Sequence, residues 1–269
     1  KDLDGFGSLG LLITSLGAGA TVAYPAITCV GNRFFAAIWL QNTPADGWRA
    51  RLLVQNPNAP LLSGDPGPSY VQVRDLGPAD GNVAPAIAAT GSRLVMTWKS
   101  TLRLRSRAYT LLRGTEVVLR DRTDVTLSSG AEQRTATAIE GTRVLVAYTE
   151  GNDLHTRLST DGGRTYARAV RRMSNPAGPT YAIPMSLDMH GTQVLLNAVD
   201  LTFGLPSGVE QWRFRSADGG ATLRGRAVGS GGYRLGVLAG SSRAPRAAEI
   251  WDHWLGGPDA DRVEFHIER

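Results

Sequence analysis

The stretch Ser159-Thr160-Asp161-Gly162-Gly163-Arg164-Thr165-Tyr166 constrains this chain more than any other, and it returns as Ser216-Ala217-Asp218-Gly219-Gly220-Ala221-Thr222-Leu223. In both copies an aspartate stands two positions after a serine, a Gly-Gly pair follows, and a threonine stands four positions after the aspartate. The carboxylate can accept bonds from nearby backbone N–H groups, and glycine takes φ > 0 without a Cβ penalty. Hydroxyls of Ser159 and Thr165 can satisfy further turn groups, and Tyr166 can fold back as an apolar lid. Each copy therefore reads as a hairpin turn held by its own side chains.

A longer repeat surrounds these turns. Gly31-Asn32-Arg33-Phe34, Gly91-Ser92-Arg93-Leu94, Gly141-Thr142-Arg143-Val144 and Gly191-Thr192-Gln193-Val194 lie between apolar runs, with their glycines 60, 50 and 50 residues apart. A period of this size in short alternating runs is the mark of a stacked repeat architecture. Before each glycine runs a strand of small and apolar residues, such as Ala84-Pro85-Ala86-Ile87. After each comes a second apolar strand, such as Val95-Met96-Thr97-Trp98, and then a third, clearest at Leu154 to Leu158. The Asp-containing turns join the third strand to a fourth. Four antiparallel strands per repeat form one propeller blade.

The blades are expected at 21–77, 78–128, 129–174 and 175–231, with a fifth over 232–269 that lacks its fourth strand. The segment 9–16, preceded by a degenerate turn over 4–8, supplies that strand if it pairs beside 263–267. The expectation is thus a single all-β domain, a five-bladed β-propeller closed by its N-terminal strand. Each blade has two apolar faces that only stacking can cover. Ala23, Ala26, Ala84, Ala86, Ala136 and Ala138 suit a crowded axis.

The turn pattern resembles the Asp box, the bacterial neuraminidase repeat of sialidase-like propellers. The second copy departs from it at Leu223, where the family has an aromatic. The resemblance implies that Ser159, Asp161, Gly163, Thr165, Ser216, Asp218, Gly220 and Thr222 are structural and lie away from the ligand-binding mouth. For a sialidase it also implies three arginines gripping a carboxylate, an aspartate acid/base and a tyrosine nucleophile activated by a glutamate. Bidentate guanidinium forks match carboxylate geometry. Glu132 and Tyr233 stand where that glutamate and tyrosine are expected, a pairing that could make the phenol nucleophilic. The arginines do not follow: Ala23-Tyr24-Pro25 and Ala182-Ile183-Pro184 carry none, and Tyr148-Thr149 occupies a third arginine's region. Arg134 and Arg234 are the two expected at the mouth.

Other chemistries find less support. A carboxylate pair for a different glycosidase would come from Glu132, Asp188, Asp200 and Asp252, each of which also suits a turn or an ion pair. His155, His190, His253 and His266 are scattered, so no metal is assigned, and no cofactor is expected. There is no nucleophile elbow. A formal charge of +5 could draw polyanions. Arg103, Arg105 and Arg107 share one strand face and Arg168, Arg171 and Arg172 follow the first turn. Both groups read as solvated outer strands, so no specific nucleic-acid partner is expected. The uncharged run from Gly5 to Asn32 is broken by Gly10, Gly17, Gly19 and Pro25, which argues for strands and against a membrane span. Cys29, the one cysteine, reads as a small core residue and excludes an internal disulfide. The chain starts at Lys1, consistent with a removed leader and an exported protein.

The leading expectation is a non-catalytic recognition or scaffold domain that takes a glycan or protein at the mouth through Tyr24, Arg134, Tyr181, Tyr233 and Arg234. Trp251 and Trp254 are further contact candidates, because one of them is expected to be exposed near a turn. The alternative is a sialidase-like glycoside hydrolase with Tyr233 as nucleophile and Glu132 as its base.

Overall fold

The computed structural model describes residues 19–31, 34–55, 71–112, 118–173, 180–202, 209–230, 233–241, 244–254 and 261–267. For 131–133 and for the whole of the last sheet the description is of the backbone and its pairing. These residues form strands in five antiparallel sheets, each a meander in chain order, with no helix among them. The first sheet is β1 (Thr21–Val30), β2 (Phe34–Thr43), β3 (Gly47–Gln55) and β4 (Val71–Pro78). The second is β5 (Ala86–Thr90), β6 (Arg93–Ser100), β7 (Arg103–Leu111) and β8 (Leu119–Ser128). The third is β9 (Ala131–Glu140), β10 (Arg143–Glu150), β11 (Asp153–Ser159) and β12 (Val170–Met173). The fourth is β13 (Thr180–His190), β14 (Gln193–Thr202), β15 (Val209–Ser216) and β16 (Arg224–Ser230). The last has three described strands, β17 (Tyr233–Ser241), β18 (Ala244–Trp254) and β19 (Asp261–Ile267).

This is the all-β blade architecture of a propeller. The first strands β1, β5, β9, β13 and β17 neighbour one another in that order, so each sheet turns its first strand inward. The expected closing strand 9–16 and the turn at 4–8 lie outside the described residues.

Stacking explains why the second strands are apolar on both faces. Leu94, Met96 and Trp98 of β6 join Leu40 and Leu52 of the first sheet in one cluster. Val95, between them in sequence, packs with Val144, Val146 and Tyr148 of the third sheet. Ala147 of β10 in turn packs with Leu196, Ala198 and Phe214 of the fourth. Period-2 alternation thus feeds two interfaces from one strand, and a strand buried on both faces reads as a continuous apolar run. Hydroxyls cross the same interfaces. Thr97 Oγ1 bonds Thr137 Oγ1 at 2.7 Å, and Thr149 Oγ1 donates to the Ala182 carbonyl at 2.7 Å.

The sheets have two distinct rims. At the hairpin rim, β5–β6, β9–β10 and β13–β14 are joined by two-residue loops that begin with Gly91, Gly141 and Gly191. Their φ values of 55°, 59° and 61° are the left-handed values that a type II′ turn demands of its first central residue. At the entry rim the chain enters the inner strands.

Cys29 corrects an expectation. It is exposed on β1. Ile27, on the same strand face, is 45% exposed.

Candidate functional site

The two Ser-x-Asp turns lie at the hairpin rim. Gly162 N donates to Thr142 O at 2.7 Å and Gly219 N to Thr192 O at 2.7 Å, tying each turn to the inner hairpin of its own sheet. Within the first turn, Asp161 Oδ1 accepts from Ser159 Oγ at 2.8 Å and from the amides of Arg164 and Thr165 at 3.0 and 2.9 Å. Its Oδ2 accepts from Thr165 Oγ1 at 2.6 Å, while Ser159 Oγ accepts from Gly163 N at 2.9 Å. Asp218 repeats the arrangement with Ser216 Oγ at 2.5 Å, Thr222 N at 2.9 Å and Thr222 Oγ1 at 2.6 Å, and Gly220 N donates to Ser216 Oγ at 2.9 Å. Burial alone would raise the Asp161 carboxyl. Its hydrogen bonds outweigh that and lower it to about 2. Hydrogen bonds from Ser216 and Thr222 lower Asp218 as well.

Each turn also leans on the preceding sheet. A Cβ on Gly162 would run into the Arg93 guanidinium, and one on Gly219 into Arg143, fifty residues further along the repeat. Tyr166 Oη meets Ser106 Oγ at 2.8 Å on the second sheet, and burial raises its phenol to about 12.

The entry rim holds the cavity. A space of about 400 Å3 is lined by Tyr24, Pro25 and Ala26 of β1, Asn82, Arg134 of β9, Ile183 of β13 and Leu201 of β14. A second space of about 440 Å3 continues along β1, β5, β9 and β13, and Arg134 lines both. Arg134 is half-buried, and burial lowers its guanidinium from the ordinary value. Among the described residues its side chain has no ion-pair or hydrogen-bond partner. No carboxylate lines the 400 Å3 cavity among them either.

Tyr24 is the other unusual residue there. It has φ of 51°, the one positive value for a non-glycine residue among the described residues, and it stands at a register shift between Ala23 and Ala26. A bulky residue in that region before a proline is a backbone outlier of the kind that gathers at ligand sites. Its side chain is 45% exposed.

The remaining candidates fall as follows. Tyr181 opens β13 at the same rim and pairs with Leu201, but does not line the cavity. Tyr233 and Arg234 begin β17, beside β13. Glu132 lies in β9, two residues before Arg134. Trp251 and Trp254 lie in β18. The side chains of Glu132, Tyr233, Arg234, Trp251 and Trp254 are outside the description.

Tyr148 is fully buried and stacks on His155 with ring centroids 5.8 Å apart, so this position serves the core. Asp188 and Asp200 cannot act as a carboxylate pair. Asp188 faces Leu195 in the register, five residues along β14 from Asp200, roughly 16 Å at strand rise. A glycosidase pair needs about 5–9.5 Å. Among the described residues no group of His, Cys, Asp and Glu is placed to hold a metal ion, and no helix is long and apolar enough to cross a membrane.

Two features escaped sequence reading. Register sets Asp252 directly across from Tyr233, which no residue spacing could show. Asn82 lines the cavity from a turn in which Asp80 Oδ1 accepts from its backbone amide at 3.0 Å, and an Asp-Gly-Asn turn before an inner strand was the available signal.

No protein-family model matches the sequence, and no curated protein matches it. Solved structures do. An α-L-arabinofuranosidase of Fusarium graminearum in complex with an iminosugar inhibitor superposes with a TM-score of 0.54 at 11% identity, covering 91% of this chain and 80% of that one. A Fusarium graminearum α-L-arabinofuranosidase with arabinobiose gives 0.54 at 10% identity, again over 91% and 80%. A phage phi92 endosialidase gives 0.49 at 11% identity over 92% and 60%, a likeness that adds nothing to the fold. At such identity the likeness speaks for the β-propeller fold alone.

Proposed function

We propose that the protein is a glycan-recognition domain whose entry-rim cavity is the mouth of a central channel and takes the acidic end of a saccharide. One observation carries this reading: among the described residues the half-buried Arg134 guanidinium has no acceptor, and the 400 Å3 cavity it lines has no carboxylate, Asp188 lying in the adjoining space. A desolvated charge without a counter-ion is costly, and a ligand carboxylate removes that cost through two parallel N–H···O bonds. Tyr24 offers an exposed ring for a sugar face, and Tyr181, Tyr233, Arg234, Trp251 and Trp254 lie on strands that could extend the contact. The reading assigns a structural role to Ser159, Asp161, Gly163, Thr165, Ser216, Asp218, Gly220 and Thr222 as Asp-box staples. It also assigns five blades closed by residues 1–20, and a site of action outside the cell, where acidic glycans are displayed.

The test is a saccharide array probed with the wild type and Arg134→Met. Acid-terminated saccharides should bind the wild type and lose at least tenfold with the variant. Equal binding by both proteins, or binding of neutral sugars alone, would overturn the reading.

A second reading is favoured by the register that sets Asp252 across from Tyr233, in a fold shared with α-L-arabinofuranosidases. In it the chain is a glycoside hydrolase, with Tyr233 the nucleophile and Glu132 or Asp252 its base. Turnover of fluorogenic glycosides that collapses in Tyr233→Phe would establish it. No turnover above blank for arabinosides or sialosides would end it.

A further inference from the structure

Between the first and second sheets, at the entry rim but apart from the cavity of Arg134, lies a cleft of about 410 Å3. Its charged lining is Arg105, Arg107, Arg122 and Asp124. Alternation along β7 puts Arg105 and Arg107 on one face, and a register shift at Leu104/Arg105 bends the strand there. The end of β4, at Leu76 to Pro78, forms the opposite wall.

The charges in this cleft do not balance. Arg107 is 6% exposed, lies over the Trp98 ring at 5.2 Å from its centroid and donates to Asp124 Oδ1. Arg122 takes the other oxygen, with Nε 2.7 Å and Nη2 2.6 Å from Asp124 Oδ2. One carboxylate therefore serves two guanidiniums. Arg105, half-buried, has no ion pair or side-chain hydrogen bond among the described residues. Three arginines against one aspartate leave a formal excess of two positive charges.

A second, independent observation points to a ligand. Trp98 lines the same cleft, is 2% exposed, and its Nε1–H has no hydrogen-bond partner. A buried donor without an acceptor is a cost that native structures rarely leave standing. An anion with several oxygens would satisfy the indole and the free guanidinium together.

We propose that this cleft binds a tetrahedral oxyanion, the sulfate or phosphate group of an ester, with Trp98 Nε1–H, Arg105 and Arg122 as its donors. A group of charge −1 to −2 matches the excess, and its oxygens match guanidinium forks. The site is separate from Arg134, so its failure would leave the mouth reading untouched.

The test is a titration of the 15N-labelled protein, whose sequence has six tryptophans. Sodium sulfate, sodium phosphate and a sulfated tetrasaccharide are compared with sodium chloride at equal ionic strength. The Trp98 indole resonance, assigned through Trp98→Phe, should move saturably with the oxyanions and not with chloride. Arg105→Gln with Arg122→Gln should weaken binding at least tenfold, since it leaves the Arg107–Asp124 pair in place. If Trp98→Phe does not fold, calorimetric titration of sulfate into the wild type and the double variant reads the same tenfold loss. Tighter binding of the tetrasaccharide than of sulfate would identify a sulfated glycan as the source, and tighter binding of phosphate a phosphoester. Equal shifts with chloride, no saturable shift, or undiminished binding by the double variant would overturn the proposal.

Discussion

At the hairpin rim, Asp161 accepts four hydrogen bonds from its own turn and Asp218 is filled by Ser216 and Thr222. At the entry rim, Arg134 and Arg105 have no acceptor among the described residues, and the Trp98 indole has none either. In the backbone, positive φ is carried by glycines at both rims, and Tyr24 at the entry rim is the one non-glycine residue among the described residues that adopts it. Polar groups that find partners within a local turn stabilise the blade, whereas those left over in a cavity need a partner from outside. The division is not complete: Arg93 Nη1, buried against Gly162, and Gln55 Oε1 at the end of β3 lack a hydrogen bond at the hairpin rim, as do Trp39 Nε1 and Tyr148 Oη in the core.

The comparison breaks most visibly at Gly162. Its φ of 79° strains any L-residue, and a Cβ would meet Arg93, so Gly162→Ala should cost about 3 kcal/mol and lower Tm by roughly 8 °C. Calorimetric melting measures this.

Next comes Asp161→Ala, which strips four acceptor bonds from an exposed turn and should cost about 2 kcal/mol by denaturant titration. The same carboxylate fixes a pH window. Its folded pKa of about 2 lies below the ordinary value, so its contribution is present above about pH 4 and disappears as pH falls toward 2. Asp161→Asn should flatten that part of the wild-type acid titration.

Tyr24→Gly should act in the opposite direction and gain up to about 1 kcal/mol, because glycine accepts the left-handed backbone without strain. The smallest effect belongs to Arg134→Met. Removing a desolvated charge that has no partner among the described residues should leave the unliganded protein within about 0.5 kcal/mol of wild type, or slightly above it.

How much of this was legible differs between the rims for a physical reason. A turn such as Ser159 to Thr165 is built from neighbours in sequence, so its hydrogen bonds follow from residue order. The glycine repeat through Gly91, Gly141 and Gly191 likewise reports local φ. The entry-rim cavity is assembled from β1, β9, β13 and β14, and only Tyr24 and Arg134 could be placed there from position in the repeat. Tyr181 was expected in the lining, but it is its strand partner Leu201 that lines the cavity. Arg105 and Arg107 were legible as one strand face, but not as a cleft, because the wall that buries Arg107 comes from β4 of another sheet. Cys29 was misplaced because an apolar run does not say which face of a strand its neighbours cover.

The most direct test compares the melting temperatures of wild type and Arg134→Met, each alone and with the acid-terminated saccharide that binds most tightly. A ligand that binds only the folded state raises Tm, by an amount that grows with the logarithm of its concentration over Kd. The expected result is that the variant alone melts as high as wild type and that the saccharide raises wild type only. A variant that melts several degrees lower by itself, with the saccharide raising both proteins equally, would show Arg134 to be part of the blade's own structure and contradict the account.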